Sequence, residues 1–286
     1  GQIGTVDADI DASSARDAVA SGASVKVAVL DTGIDQDHED LVGKVVANVN
    51  FTDSSTVDDF YGHGTHVGGI VAAVTNNGVG VAGGCPSCTL MNVKVLNDSG
   101  SGAYSWIANG LTYSADNGAK VINMSLGGSA PSKTLERAVN YAWNKGVVVV
   151  AAAGNSGVSA KSYPGAYTNV IGVAATDNKD QKASFSNYGK WVDVAAPGVD
   201  IYATLPNHAS ALSAQYGYAQ NYDYLSGTSM ATPVTAAVVG LIWSTPYYGT
   251  SASSVRSRLQ STTDKISGTG SYWTWGRINA ANAVRP

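Results

Sequence analysis

The chain has 286 residues, enough to bury a sizeable core in one large domain. Its 17 Lys and Arg against 21 Asp and Glu give a net charge of −4, and no basic tail or cluster stands out, which argues against a nucleic-acid partner held through phosphates. Only 13% of residues are charged while 44% are hydrophobic, so the chain is not disordered, and its surface must be covered by Ser, Thr, Asn, Gln, Tyr and Gly, as is common in secreted proteins.

The chain opens on Gly1-Gln2-Ile3-Gly4 and acidic Asp7, Asp9 and Asp11, so it reads as a mature form without a signal peptide. Residues 25–30 are an apolar, β-branched run that ends at Asp31, and 44–50 read as a second strand. Apolar residues at helical spacing (Val67, Ile70, Val71, Val74) predict a helix over 63–75. Strands over 90–96, 121–125, 147–151 and 170–174 then alternate with helices over 104–117 and 132–145. Two more helices are expected at 228–243 and 251–260, after a polar, Tyr-rich stretch at 206–222 that has no periodicity and reads as a long surface loop. Continuous apolar strands separated by helices predict one α/β domain over residues 1–286, with a mostly parallel twisted sheet covered by helices on both faces. The longest uncharged stretch, 225–255, is broken by Pro233 and Pro246, so no membrane span is expected.

Cys85 and Cys88 lie in a single CxxC, too few thiols for a four-cysteine zinc site. The pair follows Gly83-Gly84 and precedes a strand, whereas a redox pair opens a helix. A small structural disulfide is expected, with two free thiols or redox or metal work as alternatives.

Three residues draw attention together. Asp31 ends the first strand, and ligands of open parallel sheets bind beyond the carboxyl ends of strands; alone it could equally cap a helix. His63, between Gly62 and Gly64, opens a helix; with His66 three residues on it could be a metal ligand, although no third ligand is patterned beside them. Ser229 opens an apolar helix, where it could cap or react. Nucleophilic catalysis needs a hydroxyl, an imidazole to take its proton and a carboxylate to orient the ring, and the order Asp, His, Ser is one of the known arrangements. No GxSxG elbow is present, which argues against an α/β-hydrolase.

The motifs that surround these residues are Val27-Ala28-Val29-Leu30-Asp31-Thr32-Gly33-Ile34, Gly62-His63-Gly64-Thr65-His66-Val67-Gly68-Gly69-Ile70 and Gly227-Thr228-Ser229-Met230-Ala231-Thr232-Pro233. With Ala151-Ala152-Ala153-Gly154-Asn155 and Trp191-Val192-Asp193-Val194-Ala195-Ala196-Pro197-Gly198, the chain resembles subtilisin-like serine endopeptidases over nearly its whole length. The resemblance implies a subtilisin-like fold, a catalytic set of Asp31, His63, Ser229 and Asn155, and broad hydrolysis of polypeptides through an acyl-enzyme. It implies substrate strands at Gly100, Ser101 and Gly102 and at Ser125, Leu126, Gly127 and Gly128. A primary pocket is expected to be walled by Ala152, Ala153 and Gly154 with Ser162 at its far end, and a second apolar pocket to be shaped by Tyr104, Ile107 and Leu126.

Structural Ca²⁺ is implied as well. A first site would use Gln2, Asp40 and Asn77 with the carbonyls of Val74, Val79 and Val81, a set of hard oxygens. A second would use Asp53 and Asp58, in a segment shorter than its counterpart in relatives and with Asn50 in place of a carboxylate. Two departures from the family pattern stand out: Val234 follows Pro233 where relatives usually carry a structural histidine, and 206–222 is longer than in relatives. A secreted monomer with neither nucleic-acid nor membrane partners is expected. Rival readings are a transacylating relative (a peptide ligase or macrocyclase) and a catalytically silent binding homologue.

Overall fold

The computed structural model describes residues 8–19 and 24–286, so Gln2 lies outside the described residues. Eight strands form one sheet: β1 (Lys26–Asp31), β2 (Val45–Asn50), β3 (Thr89–Lys94), β4 (Val121–Met124), β5 (Val148–Ala152), β6 (Val170–Thr176), β7 (Val194–Pro197) and β10 (Gly276–Arg277). Their order is β10-β7-β6-β5-β4-β1-β3-β2, and every pairing is parallel. β8 (Ile201–Thr204) and β9 (Tyr222–Leu225) form a separate antiparallel pair.

The continuous apolar runs are explained by burial on both faces. Successive side chains of β1 point to opposite sides: Val27 and Val29 enter one core, Ala28 and Leu30 the other. The first core is built with α2 (His63–Ala72), α6 (Thr228–Ser244), α7 (Ala252–Ser261) and α8 (Ala280–Val284). The second is closed by α3 (Tyr104–Asp116) and α4 (Lys133–Asn144). α6 is apolar around nearly its whole circumference because it runs through the first core, against β4 to β7 on one side and α2, α7 and α8 on others. Val234 is half-buried on it and packs against that core. Cys85 and Cys88 are fully buried in the same core, and their Sγ atoms meet beside Gly240 of α6. Among the described residues no helix is long and apolar enough to cross a membrane.

The parallel α/β domain is as the patterning predicts. The short elements escape it: α1 (Ala12–Ala18), β7 to β10, α8, and α5 (Ala211–Tyr216) inside the stretch read as an irregular loop. α5 has six residues, too few to display a helical period, and is started by a reciprocal capping box between Ser210 and Ser213.

The β8–β9 pair is held to α2 by a close approach. A Cβ on Gly69 would lie 2.0 Å from Thr204 Oγ1, while that hydroxyl donates to the Thr65 carbonyl at 2.8 Å. We expect Gly69→Ala to destabilise the fold by about 1–3 kcal/mol through overpacking. A second change, Thr204→Ala, should relieve part of that loss, read as non-additive melting temperatures of the single and double variants; additive losses would count against the clash.

Candidate active site

β5, β4 and β1 are neighbours in the sheet, and their carboxyl ends deliver Asn155, Ser125 and Asp31 to one edge. The helices α2 and α6 begin at the same edge with His63 and next to Ser229. A parallel sheet makes this possible because every strand ends on the same side.

Asp31 is buried and its Oδ1 accepts a hydrogen bond from His63 Nδ1 at 2.7 Å and from the Thr32 N–H at 2.8 Å. This fixes Nδ1 as the protonated nitrogen and turns Nε2 outward as the basic one. Burial alone would lower the His63 pKa, but the Asp31 charge and hydrogen bond, with Asp59 behind them, raise it above the ordinary 6.5. His66, on the far side of the helix start, is pushed down to about 3 by burial and donates from Nε2 to the Asp223 carbonyl at 3.2 Å. It is a neutral core histidine, and the His63–His66 pair does not gather a metal set.

Ser229 sits one residue inside α6. Pro233, four residues on, has no N–H to give the Ser229 carbonyl; the Ser125 hydroxyl takes that place at 2.7 Å. The Ser229 hydroxyl in turn donates to the Ser125 carbonyl at 3.1 Å, rather than to His63. Asn155 is oriented by its oxygen: Oδ1 accepts from both the N–H and the hydroxyl of Thr228 at 2.9 Å, which leaves the Nδ2 amide free to face the pocket beside Ser229.

Two connected depressions flank these groups. One of about 450 Å³ is lined by His63 with Gly100, Ser101, Gly102, Tyr104, Ile107, Ser125, Leu126 and Gly127. The other, about 330 Å³, is lined by Leu126, Gly127, Gly128, Ala152, Gly154, Asn155, Ser162 and Ser229. Ala153 is a correction: it lies in the core against Trp273, Ala174 and Ala195, because the two-residue strand period turns it away from the wall formed by Ala152 and Gly154. Lys161 and Asn187 also line this pocket, unforeseen in the sequence; Asn187 braces it by donating to the Ala153 carbonyl and accepting from the Ser156 and Val158 N–H groups.

Asp59 was likewise missed. It is fully buried and accepts five hydrogen bonds, from the Thr32 and Thr65 hydroxyls and the N–H groups of Tyr61, Gly62 and Thr65. It thereby ties the residue after Asp31 to the residues around His63. The only sequence signal was an acidic residue four positions before the helix start.

Of the oxygen donors expected to hold cations, Asp40, Asn77 and Val81 come together. Asp40 is fully buried, with Oδ1 accepting from Asn77 Nδ2 at 2.6 Å and Oδ2 from the Val81 N–H at 2.7 Å. Gly80, at φ +50°, lets the loop close on it; a Cβ there would stand 2.1 Å from Asp40 Oδ2. No basic side chain pairs with the buried Asp40 carboxyl among the described residues, and Asp40, Asn77 and the Val81 segment fit a cation once the Asn77 amide turns its oxygen inward. Asp53 and Asp58 do not share a cradle: Asp53 accepts from Asn97, Asp58 faces His208, and the Asn50 amide donates to the Ser54 and Thr56 carbonyls between them. Asp53 and Asp58 are thus engaged with different partners, and the structure does not bring the two together as the second calcium site would require.

The model of the Subtilase family matches residues 22–276. The chain belongs to the subtilase family. It is 53% identical to thermitase of Thermoactinomyces vulgaris over 93% of this chain and 91% of that one. It is 50% identical to the thermophilic serine proteinase of Bacillus sp. (strain AK1), over 91% of this chain and 61% of that longer one. Subtilisin DY of Bacillus licheniformis is 45% identical over 92% of each. This subtilase is a serine endopeptidase.

Because the raised His63 pKa favours the protonated ring, acid should silence this subtilase at a higher pH than it would silence an unperturbed imidazole. The acid limb of kcat/KM against pH is expected above 6.5, the ordinary histidine value, and the His63 ring signal of an Ser229→Ala chain should titrate there by NMR. Asp31→Asn should move that titration down. A limb at or below the ordinary value would contradict the reading.

Proposed function

We propose that this subtilase is a secreted, monomeric catalytic domain over residues 1–286 that hydrolyses polypeptides with broad specificity through Ser229, His63 and Asp31. The observation that carries the reading is the 2.7 Å His63–Asp31 bond at the mouth of a cleft that also holds Ser229 and the free amide of Asn155. A peptide laid between Gly100–Gly102 and Ser125–Gly128 pairs through its backbone, which gives affinity with little side-chain discrimination. The Ser229 hydroxyl leaves the Ser125 carbonyl and turns to His63, a short rotation of the kind apo sites require. His63 Nε2 takes its proton as Oγ attacks the carbonyl carbon, and Asp31 stabilises the imidazolium.

The oxyanion then lies between Asn155 Nδ2 and the Ser229 N–H at the start of α6, where the helix dipole also favours negative charge. His63 gives its proton to the departing amine, leaving an acyl-enzyme on Ser229 that water cleaves by the same steps in reverse. Ala152, Gly154 and Ser162 leave the pocket room for a large side chain. The Cys85–Cys88 pair is a disulfide, which suits an extracellular setting.

A phosphonate that targets active serines should label Ser229, seen as a mass shift on its peptide. Ser229→Ala should fold, escape labelling and lose around a million-fold in turnover, a figure taken from subtilisin itself. Substantial turnover by that variant would sink the assignment. Asn155→Ala should lower turnover by roughly 10²–10³, also the subtilisin magnitude, with KM little changed; a raised KM at constant turnover would instead make Asn155 a binding residue.

Calcium would be held by Asp40, Asn77 and the carbonyls of Val74, Val79 and Val81, with Gln2 as a further ligand, and would supply structure rather than chemistry. An ion that binds only the folded state stabilises it by about 2.7 kcal/mol when free ion exceeds Kd a hundredfold. Chelation should therefore shorten the half-life at raised temperature, while activity measured at once in the cold stays near normal because no ligand belongs to the catalytic set. Asp40→Asn should blunt the calcium response. An unchanged thermal half-life after prolonged chelation would refute the site.

A further inference from the structure

Asp35, Asp58 and His208 come from three separate segments: the loop after β1, the turn before α2 and the 206–222 stretch. One ligand atom from each lies within 4.8 Å of the other two. Asp35 is buried, with its oxygens accepting from the Asp37 and Asn207 N–H groups. Asp58 Oδ1 accepts from the Asp59 N–H, so Oδ2 is the oxygen turned to His208. The His208 ring packs on Phe60 with centroids 5.0 Å apart. Its Nδ1 lies 3.2 Å from the Ala209 carbonyl and donates to it, and its Nε2 is buried without a hydrogen-bond partner.

With Nδ1 donating to a backbone carbonyl, Nε2 is the ring nitrogen left to face the two carboxylates. Either a proton or a metal ion on Nε2 must offset their charge. A backbone carbonyl on the other ring nitrogen is also how metal-bound histidines are oriented. The His208 Nε2–Asp58 Oδ2 separation of 3.4 Å is long for a charge-assisted hydrogen bond. It matches the edge of a tetrahedron around an ion bonded at 2.0–2.2 Å, about 3.3–3.6 Å. One imidazole with two carboxylates is a nitrogen and oxygen set suited to zinc-like ions rather than calcium, and a divalent charge neutralises both acids.

We propose that Asp35, Asp58 and His208 form a binding site for a divalent transition metal of the zinc class, with water completing the shell. The ion staples the 206–222 segment to the turn that carries Asp59 and leads into His63. It is distinct from the calcium cradle at Asp40 and takes no part in bond cleavage.

The test uses the full chain carrying Ser229→Ala, so that autolysis is absent, with calcium in excess. Calorimetric titration with zinc should show one saturable equivalent, and cobalt should give a visible absorption band of tetrahedral intensity. His208→Ala and Asp58→Asn should each weaken binding at least ~100-fold, and zinc should raise the melting temperature of the parent but not of either variant. Adding His63→Ala to the parent should leave the equivalent in place, which separates this site from the catalytic histidine. Metal-free melting curves of the variants report whether they fold. Absence of a saturable equivalent, or binding that survives His208→Ala, would overturn the proposal and leave the cluster as a protonated His208 paired with Asp58.

Discussion

The constraint on which the site depends is the burial of the Asp59 carboxylate. A charge with no water must find donors, and Asp59 finds five, drawn from Thr32, Tyr61, Gly62 and Thr65. Thr32 follows Asp31, and the other three surround His63. Meeting the needs of one buried acid therefore sets the distance between two others. Burial pushes the Asp59 carboxyl up, while the hydrogen bonds from Gly62, Thr65 and Thr32 pull it back. Lys94 works from the opposite side: its ammonium, buried in β3, holds the carbonyls of Thr32 and Asp58 and the carboxylate of Asp98. The two buried side chains lock the β1 end and the α2 start together.

The second half of the site is held by a missing hydrogen bond. Pro233 withholds the donor that an α-helix would supply to the Ser229 carbonyl, and the Ser125 hydroxyl fills in from β4. The first turn of α6 is thus attached to the sheet edge that lines both depressions. Thr228, next in chain, accepts from the Gly154 N–H and donates to Asn155 Oδ1, so the end of β5 is fastened to the same turn. Rigid elements, rather than loops alone, carry the reactive groups, which is what a preorganised oxyanion site needs.

The four histidines illustrate how environment divides one side chain into several states. His63 is raised by Asp31, His66 is held neutral by burial, His38 bonds the Asn221 carbonyl from Nε2, and His208 faces two acids. His38 and Tyr222 meet edge to face, and the Tyr222 hydroxyl donates to Glu39 beside Asp40. The 206–222 segment and β9 are in this way fitted both to the loop around Asp40 and to the turn before His63. A stretch that looked like a loop is a bracket between two parts of the molecule.

The sequence by itself determined the parallel α/β architecture, because strands buried on both faces must read as continuous apolar runs, and it pointed to Asp31, His63, Ser229 and Asn155, because small residues flank each of them in recognisable motifs. The family resemblance also implied that Asp40 and Asn77, in separate segments, lie near one another. Only the tertiary structure decided the rest. Ala153 turns into the core because the alternation of β5 carries on through it and Trp273, from a distant segment, covers it. Asn187 and Lys161 acquire their places beside segments far away in the chain, and Asp59 joins nearby donors to the distant Thr32. Asp53 and Asp58, close in sequence, part company because Asn97 and His208 approach from elsewhere. Short elements such as α5 and β9 carry too few residues to show a period, and are fixed by the surfaces they meet.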